Sequence, residues 1–125
     1  MKKLFISLPM NGRSEEEIQA KMAEYKKLTE RVVKEETALI NTCFEDFDIN
    51  KDDLNAFIYY FEKSIQKMAE ADFVLFDDSW RESGRCKAEY VIAQVYNIPM
   101  IRIYRDGANI IQVDLFMSTS EEVSE

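Results

Sequence analysis

The chain has 125 residues, the usual size of a single domain with one hydrophobic core. Hydrophobic residues make up 46% and aromatic residues 12%, which is enough apolar surface to exclude disordered and fibrous classes. The net charge is −8, and a field of this sign repels phosphodiester backbones, so no long nucleic acid is expected as a partner. Histidine is absent, which excludes Ser–His–Asp and Cys–His catalysis and most zinc sites.

The cysteines and the hydrophobic segments indicate where the protein resides. Cys43 and Cys86 are far apart in the sequence, which favours reduced thiols over a disulfide framework. The apolar run after Met1 is too short for a signal peptide and lacks a small-residue cleavage site. No segment approaches the ~18 apolar residues of a membrane span. We therefore expect a cytoplasmic protein with no membrane partner.

The first predicted elements are a strand and a long amphipathic helix. Residues 4–8 form an apolar run that ends at Pro9 and predicts a buried strand. Ser14 and Glu17 have the spacing of a capping box, which predicts the start of a helix. Its apolar face would consist of Ile18, Met22, Tyr25, Leu28 and Val32.

The remaining pattern alternates between strands and helices. Strands are predicted at 38–42, 73–76, 100–104 and, at an edge, 110–115; helices are predicted from Asp52 to about 71 and over 83–96. Acidic residues at 46–52 are spaced as in an EF-hand calcium loop, but Lys51 replaces the required glycine, so no metal is expected. The alternation predicts an open parallel sheet of about five strands with helices on both faces, in one domain over 1–116 with an acidic flexible tail at 117–125.

Two loops of this predicted sheet are candidates for a ligand site. In an open parallel sheet, ligands bind beyond the carboxyl ends of the strands, where helix N-termini favour anions. The loop after the first strand offers Ser7, Asn11, Gly12 and Arg13. The loop after the central strand and the helix that follows it offer Asp77, Trp80, Ser83, Arg85 and Glu89.

Three stretches of the chain carry a resemblance to a known family. They are residues 5–12 (FISLPMNG), 64–76, and 80–89 (WRESGRCKAE). In this order and spacing the chain resembles the nucleoside 2-deoxyribosyltransferase-like superfamily, in particular its small phage-associated branch, which is related to deoxynucleoside monophosphate N-glycosidases. The resemblance extends from the first strand to about Tyr104.

The resemblance implies a flavodoxin-like, Rossmann-like sheet and a cofactor-free enzyme acting on a nucleoside or nucleotide. Glu89 matches the glutamate that attacks the anomeric carbon of the sugar, as in retaining glycosidases. Ser83 matches a phosphate-binding serine, and Ser7 with residues 11–13 would complete that pocket. Trp80 would contact the base. The resemblance also implies a homo-oligomer, because related sites are often completed by a neighbouring subunit.

The sequence departs from the family pattern at two places. Ser64 occupies the position of an aspartate that helps to protonate or position the base, which favours an alternative hypothesis of a catalytically inactive nucleotide-binding module. Arg85 and Lys87 stand where small residues are common, which favours a more anionic ligand. A third hypothesis is a domain that binds other proteins through its acidic surface.

Each candidate residue also has a purely structural interpretation. Glu89 would be a solvated helix carboxylate, Ser83 a helix N-cap, and Trp80 a cover for the sheet edge. Arg13 and Arg85 would form surface salt bridges. Two further alternatives are left open by the sequence: Ser79 with Glu82 as a competing capping box, and Cys86 as either a thiol of lowered pKa or a structural thiol. Asp77 and Asp78 are adjacent, so at most one should enter the site.

Overall fold

The computed structural model describes residues 1–10, 12–40 and 54–116. Their strands are β1 (Lys2–Ser7), β2 (Thr37–Leu39), β3 (Phe73–Phe76), β4 (Met100–Asp106) and β5 (Asn109–Phe116), and their helices are α1 (Glu15–Val33), α2 (Leu54–Met68) and α3 (Gly84–Val95). A short 3₁₀ turn, Trp80–Glu82, precedes α3. Asn11, Cys43, the acidic segment at 44–50, the predicted helix start at Asp52 and the predicted tail lie outside the described residues.

The strands form one mostly parallel sheet, which confirms the predicted mixed α/β class. Their order is β2-β1-β3-β4-β5, and β1 to β4 pair in parallel. Strand β5 corrects the prediction of a parallel sheet, because it pairs antiparallel with β4. The turn at 107–108 is too short for a parallel crossover, and Gly107 supplies the positive φ of 63° that such a tight turn requires.

Helix α1 follows the sequence pattern closely. Ser14 and Glu17 form the predicted capping box at its start, and Lys34 ends it in a left-handed conformation. Met22, Tyr25 and Leu28 are buried on its apolar face. The spacing of the apolar residues therefore orients this helix on the sheet.

The core consists of two clusters that share the strands. Leu4 and Ile6 of β1 join the cluster that contains Tyr25 of α1. Phe5 joins the second cluster, which contains Met68 of α2 and Ala93 of α3. Successive residues of a strand point to opposite faces, so β1 divides its side chains between the two clusters.

The carboxyl ends of β1 and β3 lie side by side. The backbone N–H of Asp77, which follows β3, donates a 3.0 Å hydrogen bond to the carbonyl of Ser7, the last residue of β1. Helix α3 begins a few residues further on, so this end of the sheet brings three chain segments together. Within the described ranges, no helix has both the length and the apolar character needed to cross a membrane.

Candidate functional site

Glu89 is a buried carboxylate next to the end of β1. Its exposed fraction is 0%, so its interpretation as a solvated helix carboxylate is wrong. The hydroxyl of Ser7 donates a 2.7 Å hydrogen bond to Oε1, and the hydroxyl of Ser64 on α2 donates to Oε2. Glu89 of α3 is thus held by hydroxyls from β1 and α2.

Arg85 completes the surroundings of this carboxylate from one helical turn earlier. Its Nη1 lies 3.0 Å from both Oε1 and Oε2 of Glu89, and its Nη2 donates a 2.8 Å hydrogen bond to the carbonyl of Leu8. Only 11% of the Arg85 side chain is exposed, and its partner is fully buried, so this is not a surface salt bridge. Hydrogen bonds between two charged groups are stronger than those between neutral groups. The two bonds to the carboxylate therefore hold the guanidinium next to Glu89.

The contacts of Glu89 fill its hydrogen-bonding capacity. Oε1 accepts hydrogen bonds from Ser7 and Arg85, and Oε2 accepts hydrogen bonds from Ser64 and Arg85. An ionised carboxylate offers about four lone-pair positions, so all of them are occupied. Chemistry at Glu89 therefore requires that at least one of these donors move away.

Asp77 is a second fully buried carboxylate at the same end of the sheet. It accepts hydrogen bonds from the Tyr25 hydroxyl and from the backbone and hydroxyl of Ser79. The charged groups of Arg13 and Lys21 each lie 3.7 Å from it. Its neighbour on the chain, Asp78, is exposed and pairs with Arg105 at 3.0 Å, so only one of the two adjacent aspartates points inward, as the sequence predicted.

The contacts of Asp77 decide its ionisation. Burial alone would raise the pKa of Asp77, but hydrogen bonds from Ser79 and Tyr25 and the charge of Lys21 outweigh burial and lower it. Burial and the hydrogen bond to Asp77 raise the pKa of Tyr25, so its hydroxyl stays a donor. Arg105 donates a 2.9 Å hydrogen bond to the same hydroxyl. Asp77 is therefore a stable anion at neutral pH.

Sequence reasoning missed Tyr25 and Arg105 as members of this network. Tyr25 was predicted correctly as a core residue of α1, but nothing in the helix pattern indicates where its hydroxyl points. Arg105 lies near the end of β4, and it reaches Tyr25, Asp78 and Glu24 across the sheet end. These partners are separated from it by 27 to 81 positions, so no local motif connects them.

Arg13 joins the two predicted loops. Its Nη2 donates a 3.2 Å hydrogen bond to the Ser79 hydroxyl in addition to its ion pair with Asp77. A turn closed by the Arg13 N–H and the Met10 carbonyl, with Gly12 at a φ of 78°, directs this side chain. The surface salt-bridge interpretation is therefore wrong for Arg13 as well, because its partner Asp77 is buried.

The start of α3 settles two of the structural alternatives. The Ser83 hydroxyl accepts a 3.2 Å hydrogen bond from the Cys86 N–H, so Ser83 is the N-cap. The competing capping box is wrong, because Ser79 makes no cap bond and its hydroxyl binds Asp77 instead. Burial raises the pKa of Cys86 to about 11, so the hypothesis of a lowered pKa is also wrong.

Trp80 is part of an aromatic stack at the sheet end. Its ring is parallel to that of Tyr90, with centroids 4.2 Å apart, and meets the Phe76 ring edge-on at 6.0 Å. The guanidinium carbon of Arg81 lies 4.6 Å from the Trp80 centroid. Trp80 thus packs against the second core cluster, whereas its structural interpretation placed it over the sheet edge; its contact with a base stays a prediction.

The structure groups the predicted site residues in two neighbouring networks. Ser7 and Arg85 surround Glu89, whereas Arg13 binds Asp77; Gly12 shapes the first loop, Ser83 caps α3, and Asn11 lies outside the described residues. Among the described side chains, no group of three or more acidic or cysteine residues is arranged to hold a metal ion. No protein-family model matches the chain, and no curated protein matches it either.

Proposed function

We propose that this protein is an N-glycosidase or deoxyribosyltransferase that acts on a deoxynucleoside or its 5′-monophosphate through Glu89. We propose with it membership of the nucleoside 2-deoxyribosyltransferase-like superfamily, whose flavodoxin-like sheet carries helices on both faces. One observation supports the proposal most: the buried carboxylate of Glu89 lies at the end of β1, between Ser7 and Arg85. Ligands of open parallel sheets bind at this end.

In the proposed reaction, a Glu89 oxygen attacks the anomeric carbon of deoxyribose. The carbon–nitrogen bond to the base breaks, and the base leaves with the bonding electron pair and takes a proton. Water then cleaves the glycosyl ester and gives its hydroxyl group to the sugar. Its proton is released and balances the proton taken up by the base. In a transferase, a second base attacks the glycosyl ester in place of water and releases a proton in the same way. A carboxylate is a competent nucleophile for this oxocarbenium-like centre.

The surrounding residues supply orientation and ligand contacts in this proposal. Ser7 fixes one carboxylate oxygen of Glu89, which limits the geometry of attack. Ser83, Arg13 and the backbone around Gly12 would hold the phosphate or sugar, and Trp80 would border the base. The Ser64 hydroxyl donates a hydrogen bond to Glu89, and a serine hydroxyl does not give up its proton at ordinary pH. The proton for the leaving base therefore comes from solvent or from another group in the ligand site.

The second candidate is a nucleotide-binding module without catalysis. Two observations favour it: the fully engaged hydrogen bonds of Glu89, and Ser64 at the position where relatives carry an aspartate. A third candidate, a domain that binds other proteins through its acidic surface, predicts an empty or closed crevice beside Glu89. The three functions differ in what they do with a nucleotide.

Base release separates these functions. Purified protein is incubated with a panel of deoxynucleosides and their 5′-monophosphates, and free base is measured by chromatography. We expect release by the wild type, its loss in Glu89→Gln, and a drop of about 100-fold in Glu89→Asp, which moves the carboxylate back by one methylene. Glu70→Gln, which changes an exposed carboxylate, is the matched control and keeps full activity.

Thermal stability measured with the same panel tests the second candidate. A ligand at 100 times its dissociation constant adds about 2.7 kcal/mol to the free energy of unfolding. Stabilisation without base release supports the binding module and contradicts the enzyme. If no nucleotide changes the melting temperature and none is cleaved, both candidates are wrong.

A homo-oligomer is part of the same proposal. Ile58 and Tyr59 expose about half of their surface on α2, which is the natural interface candidate. Light scattering tests it: a strict monomer at working concentration contradicts this part and leaves the site proposal untouched.

A further inference from the structure

Arg85, with 11% of its side chain exposed, is the one of the three side chains holding Glu89 that borders solvent. Ser7 and Ser64, in β1 and α2, are buried, so their hydroxyls do not border solvent. The guanidinium of Arg85 reaches solvent and sits on a long, flexible side chain. Arg85 is therefore the donor that separates Glu89 from solvent.

The location of Arg85 on α3 is electrostatically unfavourable. It lies in the first turn, where the helix dipole is positive, and no acidic residue accompanies it in that turn. A cation that precedes its anion by four positions is also the weaker order for a helical ion pair. Hydrogen bonds to the Glu89 carboxylate and to the Leu8 carbonyl hold the guanidinium there.

An oxyanion at this turn would compete with Glu89 for the guanidinium of Arg85. The helix dipole favours an anion at the same place, and guanidinium binds planar or tetrahedral oxyanions through paired hydrogen bonds. Glu89 would keep the hydroxyls of Ser7 and Ser64 after Arg85 leaves, so the buried carboxylate would not lose all its donors.

We infer that Arg85 is a gate on Glu89: in the free protein its guanidinium blocks the carboxylate, and an oxyanionic group of the ligand draws it away and exposes the nucleophile. This inference rests on the proposed function, because it assumes that Glu89 must be reached. Arg85 is then a specificity-determining residue. The gate opens for a nucleotide that carries a phosphate and stays closed for a neutral nucleoside.

Chemical labelling of Glu89 tests the gate without turnover. The protein is treated with a carbodiimide and an amine in sodium sulfate or in sodium chloride of equal ionic strength, and the labelling rate of each carboxylate is measured by peptide mass spectrometry. Sulfate is the oxyanion probe. For the wild type we expect Glu89 to be labelled about tenfold faster in sulfate, while labelling of the exposed Glu70 is unchanged.

Two variants assign the effect to Arg85. Arg85→Gln should label rapidly at Glu89 in both salts, because the gate is gone. Arg81→Gln removes a neighbouring exposed cation and should behave like the wild type. Circular dichroism checks that each variant folds; if Arg85→Gln does not, Arg85→Lys replaces it, with fast labelling expected because an ammonium cannot bridge both carboxylate oxygens and the Leu8 carbonyl.

The gate is wrong if wild-type Glu89 reacts equally in both salts, or if it stays protected in a folded Arg85 variant. These results leave base release by the wild type unaffected, so the proposed function survives them. Conversely, sulfate-dependent labelling in a protein that releases no base supports the gate and contradicts the enzyme. For an active wild type, Arg85→Gln should lower the ratio of monophosphate to nucleoside cleavage by about tenfold or more.

Discussion

The hydroxyl of Ser7, at the end of β1, donates a 2.7 Å hydrogen bond to Oε1 of Glu89, which lies 82 positions later on α3. Both side chains are fully buried, so water cannot replace either partner. The contact ties the first strand to the helix after the central strand. The carboxylate position therefore depends on the packing of the whole sheet end.

Replacing Ser7 by alanine should weaken both the fold and the site. Glu89 would lose one of two hydroxyl donors while remaining buried, and such a loss costs about 1–3 kcal/mol of unfolding free energy. Urea denaturation measures this cost, and base release measures the loss of orientation. Ser64→Ala removes the other hydroxyl and should cost a similar amount. A Ser7→Ala protein within about 0.5 kcal/mol of the wild type would contradict this prediction.

The ion pair between Arg85 and Glu89 should show strong energetic coupling. Arg85→Gln leaves a buried charge without its partner, which costs about 3–5 kcal/mol. The double variant Arg85→Gln/Glu89→Gln removes both charges and should recover much of that loss. Urea denaturation of the two single variants and the double variant gives the coupling energy.

Lys26 and Glu30 provide a matched control for this cycle. They form an ion pair with the same spacing and the same order of charges on α1, at 2.8 Å, but both side chains are partly exposed. Exposed pairs of this kind couple by less than about 1 kcal/mol. Equal coupling in the two cycles would mean that burial does not strengthen the Arg85–Glu89 pair.

Cys86 should be unreactive in the folded protein. Its thiol is fully buried, and burial raises its pKa to about 11 from an ordinary value of 9.0. The unfolded chain therefore loses this proton first, and stability should fall as pH rises from 9 towards 11. Iodoacetamide at pH 8 should alkylate the Cys86 peptide in guanidinium but not in buffer, as mass spectrometry can show. Rapid alkylation of the native protein would contradict the burial.

Local sequence signals predict the secondary-structure elements, whereas the contacts within the site join residues that are far apart in the sequence. The run at 73–76 and the capping box at Ser14 are local, and both appear where predicted. The direction of β5 was missed, although it follows from the short turn at Gly107. The partners of Arg85 and Ser79 were missed because sequence spacing does not specify which buried group a hydroxyl or guanidinium reaches.

The contribution of the Tyr25 hydroxyl to stability should depend on pH, because this hydroxyl helps to keep Asp77 ionised. The pKa of Asp77 lies below its ordinary value of 3.8, so its contribution to stability is present above pH 3.8 and is lost as pH falls through the lower pKa of the folded state. Tyr25→Phe removes one of the donors that lower this pKa. The variant should lose about 1–3 kcal/mol at pH 7. Because protonation of Asp77 weakens the same hydrogen bond in the wild type, the difference should shrink as pH falls through the lowered pKa of Asp77.

Tyr96→Phe is the control for this experiment, since Tyr96 lies just beyond α3 with 72% of its surface exposed. Its loss of a hydroxyl should change the unfolding free energy by less than about 0.5 kcal/mol at every pH. Urea denaturation of the wild type and both variants, over a pH series from 7 to the lowest pH at which the protein folds, makes the comparison. A Tyr25→Phe penalty that stays constant over the whole pH range would show that the hydroxyl acts through packing or through Arg105, and that it does not act through the charge of Asp77.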